Sequence, residues 1–482
     1  MRTSASPPLL ALLALDRSAA APLHRQIYQG IRSAILEGRL RPGQRVPATR
    51  VLAGELVVSR LPVLAAYEQL LHEGYLTGRV GSGTFVSDTL PDDALEAPAA
   101  ARAVSFGPAA SLAPAGGTLH PFRMSLPALD DFPHAAWARI VSRKVRTLGV
   151  EQMAYGAPAG VSELRAAVAE HLRTHRGVRC EAHQVLIVPG SQTALRLAAG
   201  VLLDPGDRVA VEEPGYPGAR AALSAAGARL VPVPVDAEGI DPHRLERDRT
   251  GIRAVCVTPS HQYPLGGSLP VSRRLALLDW ARRHDAWILE DDYDSEYRYV
   301  SRPLGALQGM DQHERVAYIG TFSKVMFPAL RVGYLVVPPP LIDRFIAARE
   351  AFDLFSPTLY QLALAEFLTE GHFVRHLRRM RGTYLRRRNA LLAGLAGHCA
   401  GTLRVLNADA GLHVATMLTN AGDDVEVVRQ LERRGLTATP LSSCYATRHW
   451  QSGLLLGFGG FPEERLGEAA IVLGQVLGRQ RG

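Results

Sequence analysis

Ile27, Ile31 and Ile35 recur every four residues, the spacing that lines one face of an α-helix, with Pro22 placed to open that helix and Gly38 where a left-handed cap would end it. After the turn Arg41-Pro42-Gly43, a second helix is predicted from about Ala48 to Leu56. A tight link through Val57 and Val58 leads to Ser59, a good N-cap for a third helix with apolar positions Val63, Ala66, Tyr67, Leu70 and Leu71 and a stop at Gly74. Two short strands, Tyr75–Thr77 and Thr84–Val86, then flank the turn Gly81-Ser82-Gly83. Helices and hairpin in this order predict a winged helix-turn-helix over residues 18–87.

From 88 to 117 the chain is rich in Ala, Pro, Asp and Gly and loses periodicity, as a linker does. From 118 to 482 short apolar runs alternate with helical stretches: Val185–Val188, Val209–Val211, Ala254–Thr258, Trp287–Leu289, Val316–Ile319 and Tyr334–Val337. This alternation predicts an α/β domain, a buried and mostly parallel sheet covered by helices, with ligands beyond the carboxyl ends of its strands. At 482 residues the chain also exceeds what one core supports.

Hydrophobic residues at 47% and charged residues at 21% exclude wholesale disorder, and a net charge of +8 fits a polyanionic partner without requiring one. Cys180, Cys256, Cys399 and Cys444 are far apart and form no C-x-x-C pair, so no metal site or disulfide framework is indicated and a reducing cytoplasm fits. Leu9 to Leu15, followed by small residues at Ser18 to Ala21, resembles a short signal-peptide core. Only one basic residue precedes it and no apolar run reaches spanning length, so a cytoplasmic protein without a membrane segment is expected.

The basic residues carry a sharper fact, because of the 54 only Lys144 and Lys324 are lysines. A guanidinium cannot act as a nucleophilic amine or form an imine, so each lysine is a candidate for chemistry, the ordinary alternative being surface charge. Lys324 ends the segment Gly320-Thr321-Phe322-Ser323-Lys324 just after an apolar run, and Arg331 adds a permanent cation seven residues on. Pro189-Gly190-Ser191-Gln192 follows Val188 and opens a helix near Thr193. Free N–H groups there suit a phosphate, although Gly-Ser also makes ordinary turns. Glu290-Asp291-Asp292-Tyr293-Asp294 follows Leu289, and its carboxylates could bind a metal, pair with a heterocyclic nitrogen or be solvated. Pyridoxal phosphate uses all of these features: a lysine to hold it, an acid at its pyridine nitrogen, a phenol near its ring oxygen and a phosphate cup. Lys324, Asp291, Tyr293 and the group Ser191, Gln192, Ser323 and Arg331 match these roles in that order.

Thr321-Phe322-Ser323-Lys324, Leu330-Arg331-Val332-Gly333-Tyr334, Glu290-Asp291-Asp292-Tyr293-Asp294-Ser295-Glu296 and Glu213-Pro214-Gly215-Tyr216 together resemble the aminotransferase-like domain of the MocR-type regulators. These join a GntR-family winged helix to a fold-type I aminotransferase domain. Pro47-Ala48-Thr49-Arg50, Ser59-Arg60, Ala66-Tyr67, Glu73-Gly74-Tyr75-Leu76 and Gly81-Ser82-Gly83-Thr84-Phe85-Val86 are similar to the GntR pattern, and the match covers nearly the whole chain in the family's domain order. The resemblance implies pyridoxal phosphate as cofactor, with Lys324 as the catalytic, imine-forming lysine, Asp291 at the pyridinium, Tyr293 near the ring oxygen, Tyr216 near the ring face and Arg331 on the phosphate. Ser191, Gln192, Thr321 and Ser323 fall around the phosphate, and His261 and Gln262, in Pro259-Ser260-His261-Gln262-Tyr263-Pro264, match a pocket loop. Arg50, Ser59, Arg60 and the wing residues Gly81 and Ser82 are placed at the DNA. A homodimer on double-stranded operator DNA is implied, answering to a small-molecule effector: an amine, an amino acid or a vitamin B6 vitamer. The alternative is a working aminotransferase with an accessory or autoregulatory winged helix.

Two departures from the family pattern matter. After Ser59-Arg60 the third helix continues Leu61-Pro62-Val63-Leu64, which offers a base edge only apolar contact, such as with a thymine methyl. Near the C-terminus, where transaminating members of the fold place an arginine for the substrate carboxylate, the stretch reads Leu454-Leu455-Leu456-Gly457-Phe458, leaving Arg448 or Arg220 as substitutes. The basic stretch Arg375 to Arg388 reads as a long amphipathic helix with apolar positions Phe373, Leu377, Met380 and Tyr384 rather than as a second DNA surface.

Overall fold

The computed structural model describes residues 13, 15–17, 19, 21–79, 81–90, 118–248, 250–299, 305–419, 422–447 and 451–478. They fall into two units, one ending at 90 and one starting at 118. From residue 91 onward the predicted linker lies outside the described residues, as do Arg448 and most of the stretch that resembles a signal-peptide core. No helix among the described residues is long and apolar enough to cross a membrane.

In the first unit α1 (Leu23–Leu36) follows Pro22, and its Ile27, Ile31 and Ile35 are buried as their spacing requires. They pack with Leu52 of α2 (Thr49–Glu55) and with Val63, Ala66, Tyr67 and Leu70 of α3 (Arg60–His72). Leu71, expected among the apolar positions, is instead 38% exposed. Ser59 occupies the N-cap of α3 with extended backbone but makes no side-chain cap hydrogen bond. Strands β1 (Leu76–Arg79) and β2 (Gly83–Val86) pair antiparallel, Leu76 opposite Val86 and Arg79 opposite Gly83, which completes the winged helix-turn-helix.

The second unit is built on an eight-stranded sheet, numbered on along the chain: β3 (Val185–Val188), β4 (Arg208–Glu213), β5 (Arg229–Asp236), β6 (Gly239–Ile240), β7 (Ile252–Val257), β8 (Trp287–Asp292), β9 (Val316–Thr321) and β10 (Gly333–Val336). Their order is β3-β10-β9-β8-β7-β4-β5-β6. Strands β4, β5, β7, β8 and β9 run parallel, and β10 lies antiparallel to both β9 and β3, so β3 keeps the common direction. All six predicted runs are strands. Strand β5, beside the sheet edge, does not show as an apolar run because Pro232 and Pro234 interrupt it, and prolines in a sheet belong near an edge. Helices cover both faces, as a sheet buried on both sides requires, and three separate apolar clusters fill the layers.

A smaller antiparallel sheet follows, with β11 (Leu403–Val405), β12 (His413–Leu418), β13 (Thr439–Pro440) and β14 (Gly453–Gly457) in the order β11-β12-β14-β13. The helices His372–His398 and Glu463–Gly478 pack against each other beside it. Phe373, Leu377, Met380 and Tyr384 of the former are buried, as predicted. Most of its arginines are pinned to the fold. Arg387 pairs with Asp130 and donates to the Gly459 carbonyl, Arg388 donates to the Ala408 carbonyl, Arg381 to the Glu296 carbonyl, and Arg386 pairs with Glu463. These bonds anchor the helix to the fold, while Arg375, Arg378, Arg379, Arg381 and Arg386 remain exposed along its basic face.

Candidate functional site

The common direction of β3, β4, β7, β8 and β9 brings their carboxyl ends to one edge of the sheet, and the reversed β10 starts at that same edge. Residues far apart in sequence therefore meet there. They line a cavity of ≈150 Å³: Ser191 and Gln192 beyond β3, Tyr216 beyond β4, Asp291 at the end of β8, Lys324 beyond β9 and Arg331 just before β10. Tyr293, Thr321 and Ser323 complete the group expected from the sequence.

Lys324 is half-buried, and its Nζ donates to the Ser125 carbonyl at 3.3 Å. Burial pushes its ammonium down to about 8, against the opposing pull of the Asp294 and Asp291 carboxylates. Asp291 is 4% exposed, and its Oδ1 has no hydrogen-bond partner. Burial, reinforced by the charge of Asp292, pushes its carboxyl up to about 7. An unpartnered buried carboxylate oxygen costs free energy unless a ligand supplies a donor, and a protonated ring nitrogen is such a donor. Behind it Asp292 is held by Arg176, whose Nε and Nη2 reach its Oδ2 at 3.0 and 2.7 Å, and by the Tyr318 hydroxyl at 2.5 Å.

The opposite end of the cavity suits an anion. The helix Ser191–Leu202 begins there with free N–H groups, and Gly190 before it has φ +96°, a conformation that L side chains rarely adopt. A Cβ on Gly190 would stand 3.3 Å from the Arg331 guanidinium, so glycine also lets that cation lie against the turn. Arg331 Nη2 donates to the Pro189 carbonyl at 2.6 Å, which fixes the guanidinium at the helix start. Tyr216 accepts from Gln192 Nε2 at 3.1 Å and meets the Tyr263 ring edge-on at 5.3 Å. The donor set therefore combines an anion cradle, a half-buried amine of lowered basicity and an orphan carboxylate, which fits a phosphorylated heterocyclic aldehyde.

Two predicted residues lie behind the cavity wall rather than on it. Gln262 donates to the carbonyls of Pro214 and Tyr263, so its amide ties loops together. His261 is buried against Asp294 and Tyr293. Four cavity residues were not singled out from sequence: Ser125, Thr258, Tyr263 and Pro328. Thr258 directly follows β7, so the rule that strand-end residues matter would have found it, whereas Ser125 lies in a segment without periodicity. Arg220, considered for a carboxylate, donates to the carbonyls of Gly215, Cys444 and Ser443. The buried β14 stretch Leu454–Leu456 contains no arginine.

In the winged helix, Arg50 and Arg60 are both exposed, and Arg60 Nε donates to Thr49 Oγ1 at 3.2 Å across the α2–α3 turn. Ser59 is exposed at the start of α3, where its hydroxyl makes no cap bond, and Gly81 and Ser82 are exposed in the turn of the wing. Leu61 is 73% exposed beside Arg60.

Comparison with known proteins agrees with this division. Residues 23–86 match the family described as bacterial regulatory proteins, gntR family, and residues 129–468 match aminotransferase class I and II. The probable rhizopine catabolism regulatory protein MocR of Rhizobium meliloti is 41% identical over 95% of this chain and 94% of its own. The HTH-type pyridoxine biosynthesis transcriptional regulator PdxR of Corynebacterium glutamicum is 36% identical over 94% and 96%. Among solved structures, the α-aminoadipate aminotransferase LysN of Thermus thermophilus, complexed with N-(5'-phosphopyridoxyl)-L-leucine, superposes with a TM-score of 0.69 at 30% identity, over 74% of this chain and 92% of its own. A gntR-type winged helix and an aminotransferase class I and II domain in one chain, matched end to end by such regulators, mean that this chain belongs to the MocR-type family of transcription regulators.

Proposed function

We propose that this protein is a cytoplasmic, DNA-binding transcription regulator whose residues 118–482 hold pyridoxal phosphate and sense a small amine, an amino acid or a vitamin B6 vitamer, while residues 18–87 bind operator DNA and 88–117 link the two. One observation carries the cofactor reading. Lys324, one of two lysines in the chain, lines the same cavity as Asp291 with its unpartnered Oδ1. Pyridoxal phosphate, when bound, supplies an electron sink conjugated to the amine it holds. Lys324 would hold it, Asp291 would keep its ring nitrogen protonated, Tyr293 would face its ring oxygen and Tyr216 its ring. Arg331, Ser191, Gln192, Thr321 and Ser323 would take its phosphate.

Regulation rather than turnover is supported by the engaged guanidinium of Arg220 and by the arginine-free β14 stretch. Without a positioned carboxylate partner, an amino acid is poorly oriented for proton transfer by Lys324. The alternative, an active aminotransferase with an accessory DNA-binding domain, draws on the complete cavity. A homodimer is supported by apolar side chains left in water: Val150 is 85% exposed, Met153 74% and Tyr155 85%, with the Tyr155 ring packed edge-on to Phe355. Two linked heads on two half-sites raise affinity without new contacts.

The test follows the purified chain's absorbance while pyridoxal phosphate, then amines and amino acids, are added, alongside binding to its own upstream DNA. A visible band that amines perturb, with specific DNA binding and little turnover, is expected. Steady-state transamination above about 1 per second, an ordinary enzyme rate, would favour the alternative.

A further inference from the structure

His261 touches two side chains of the site without lining the cavity. Its Nδ1 stands 2.9 Å from Asp294 Oδ1, 3.1 Å from Oδ2 and 2.9 Å from the Tyr293 hydroxyl. The side chains of His261 and Asp294 are 3% and 2% exposed. The backbone clamps the pair. Gly411, at φ +75°, passes so close that a Cβ there would come within 2.2 Å of His261 Cε1 and 2.5 Å of Asp294 Oδ2. The His413 ring lies 5.4 Å from that of His261, with its own Nε2 at the Pro264 carbonyl.

A ring nitrogen carries at most one hydrogen. Asp294 is a buried carboxylate, and among the described residues His261 Nδ1 is the side-chain donor within its reach. Leaving Nδ1 bare would strand that charge, so Nδ1 carries the hydrogen. In that state it has no lone pair to accept a hydrogen from Tyr293. The phenol oxygen can only share the same N–H as an acceptor, and its own hydrogen turns away from His261. Tyr293 lines the cavity, so that hydrogen has the cavity to point into.

We infer that Asp294 and His261 form a positioning pair that commits the Tyr293 hydroxyl to donate into the cavity, which selects for a ligand carrying an anionic oxygen at that place. This deepens the cofactor reading above and rests on it. On pyridoxal phosphate the oxygen is the phenolic ring oxygen. A donor held there stabilises its anionic form and weakens its grip on the proton shared with the nitrogen attached at Lys324, so the bound cofactor changes colour at a lower pH. The other titratable and charged groups around Tyr293 and the pair are Asp291, Lys324 and Glu212, Tyr263 with its ring 5.8 Å from that of Tyr293, His413, and Glu296, Arg298 and Tyr299 near Asp294. None of them is changed in the variants that test the inference.

The test uses the full-length chain loaded with pyridoxal phosphate and reads the pH midpoint of its visible absorbance change. Tyr293→Phe and His261→Leu should each raise the midpoint by roughly one pH unit, and the double variant should go no further, because both remove the same hydrogen bond. His261→Asn, whose amide N–H can serve Asp294 from the same side, should stay close to wild type. If His261→Leu does not fold because Asp294 is stranded, His261→Leu with Asp294→Asn removes the charge as well and should show the same rise when measured against Asp294→Asn alone, which carries the loss of the carboxylate's own pull on Lys324. A wild-type midpoint in the leucine variants, additive shifts in the double variant, or an asparagine variant as shifted as the leucine one would each overturn the inference while the cofactor reading stands. A wild-type protein that takes up no cofactor would overturn both.

Discussion

Arg176→Met tests whether the polar floor beneath the cavity is held as the structure implies. Arg176 ends the helix Ser162–Arg176, is 2% exposed, and donates to Asp292 through Nε and Nη2 and to Ser260 Oγ at 3.0 Å. Methionine keeps much of the volume and strands a buried carboxylate, a change that costs about 3 to 5 kcal/mol. With an unfolding entropy of about 2.1 cal/mol/K per residue over a unit of roughly 370 residues, about 4 kcal/mol lowers the melting temperature by about 5 °C. Adding Asp292→Asn removes the stranded charge and should recover most of the loss. Burial raises the Asp292 carboxyl, but the Arg176 guanidinium overcomes this and holds it below its usual range. A depressed carboxylate contributes stability that is present above its unfolded value near pH ~4 and lost as pH falls through the folded one. Without the guanidinium the burial that raises Asp292 is unopposed, so in Arg176→Met its carboxyl takes up a proton at higher pH than in wild type, and the calorimetric gap should be widest in alkali, narrow as pH falls and close in acid. A single variant melting within about 1 °C of wild type at pH 7, or a double variant no better than the single, would refute the reasoning.

Lys324→Ala should lose both the visible absorbance band and the borohydride-reducible adduct. Retention of both would point to Lys144 or another amine. Because burial brings Lys324 down to about 8, the rate of cofactor attachment to the cofactor-free protein should climb with pH and level off above about 9, once the amine is mostly neutral, rather than climb on towards the ordinary lysine range. Arg50→Ala and Arg60→Ala should each weaken operator binding. A bidentate base contact would show as a sequence-selective loss of about 1 to 3 kcal/mol, a phosphate contact as a uniform loss with a flatter salt dependence. Filter binding at several salt concentrations separates the two, and wild-type affinity in both variants would remove these arginines from the interface.

Much of this molecule is legible in its sequence because the informative residues follow strong local patterns. Ile27, Ile31 and Ile35 mark α1 by spacing alone, and the six apolar runs mark strands whose ends carry Asp291, Lys324 and Ser191. What stayed hidden depends on the third dimension. The reversal of β10 is what brings Arg331 back to the cavity edge, and strand direction leaves no trace in composition. Arg176 looks like any basic residue in a last helical turn, yet it is buried against Asp292. The arginines of His372–His398 read as a solvated face and most are exposed, but their bonds to carbonyls and carboxylates of other elements left no mark in the sequence. His261 illustrates the same limit at the site: its loop was marked, but its place behind Tyr293 goes with the close pass of Gly411, in the bend just before β12.

The central claim is that chemistry at Lys324 governs DNA binding. Its most direct measurement is fluorescence anisotropy of the protein's own upstream DNA, titrated with full-length wild type and with Lys324→Ala, each with and without pyridoxal phosphate and amines. The account predicts that cofactor and amine together change the wild-type Kd about tenfold, roughly 1.4 kcal/mol of coupling, and leave Lys324→Ala unmoved. Equal shifts in both proteins would contradict it, as would an unshifted wild type that turns over amino donors at ordinary enzyme rates.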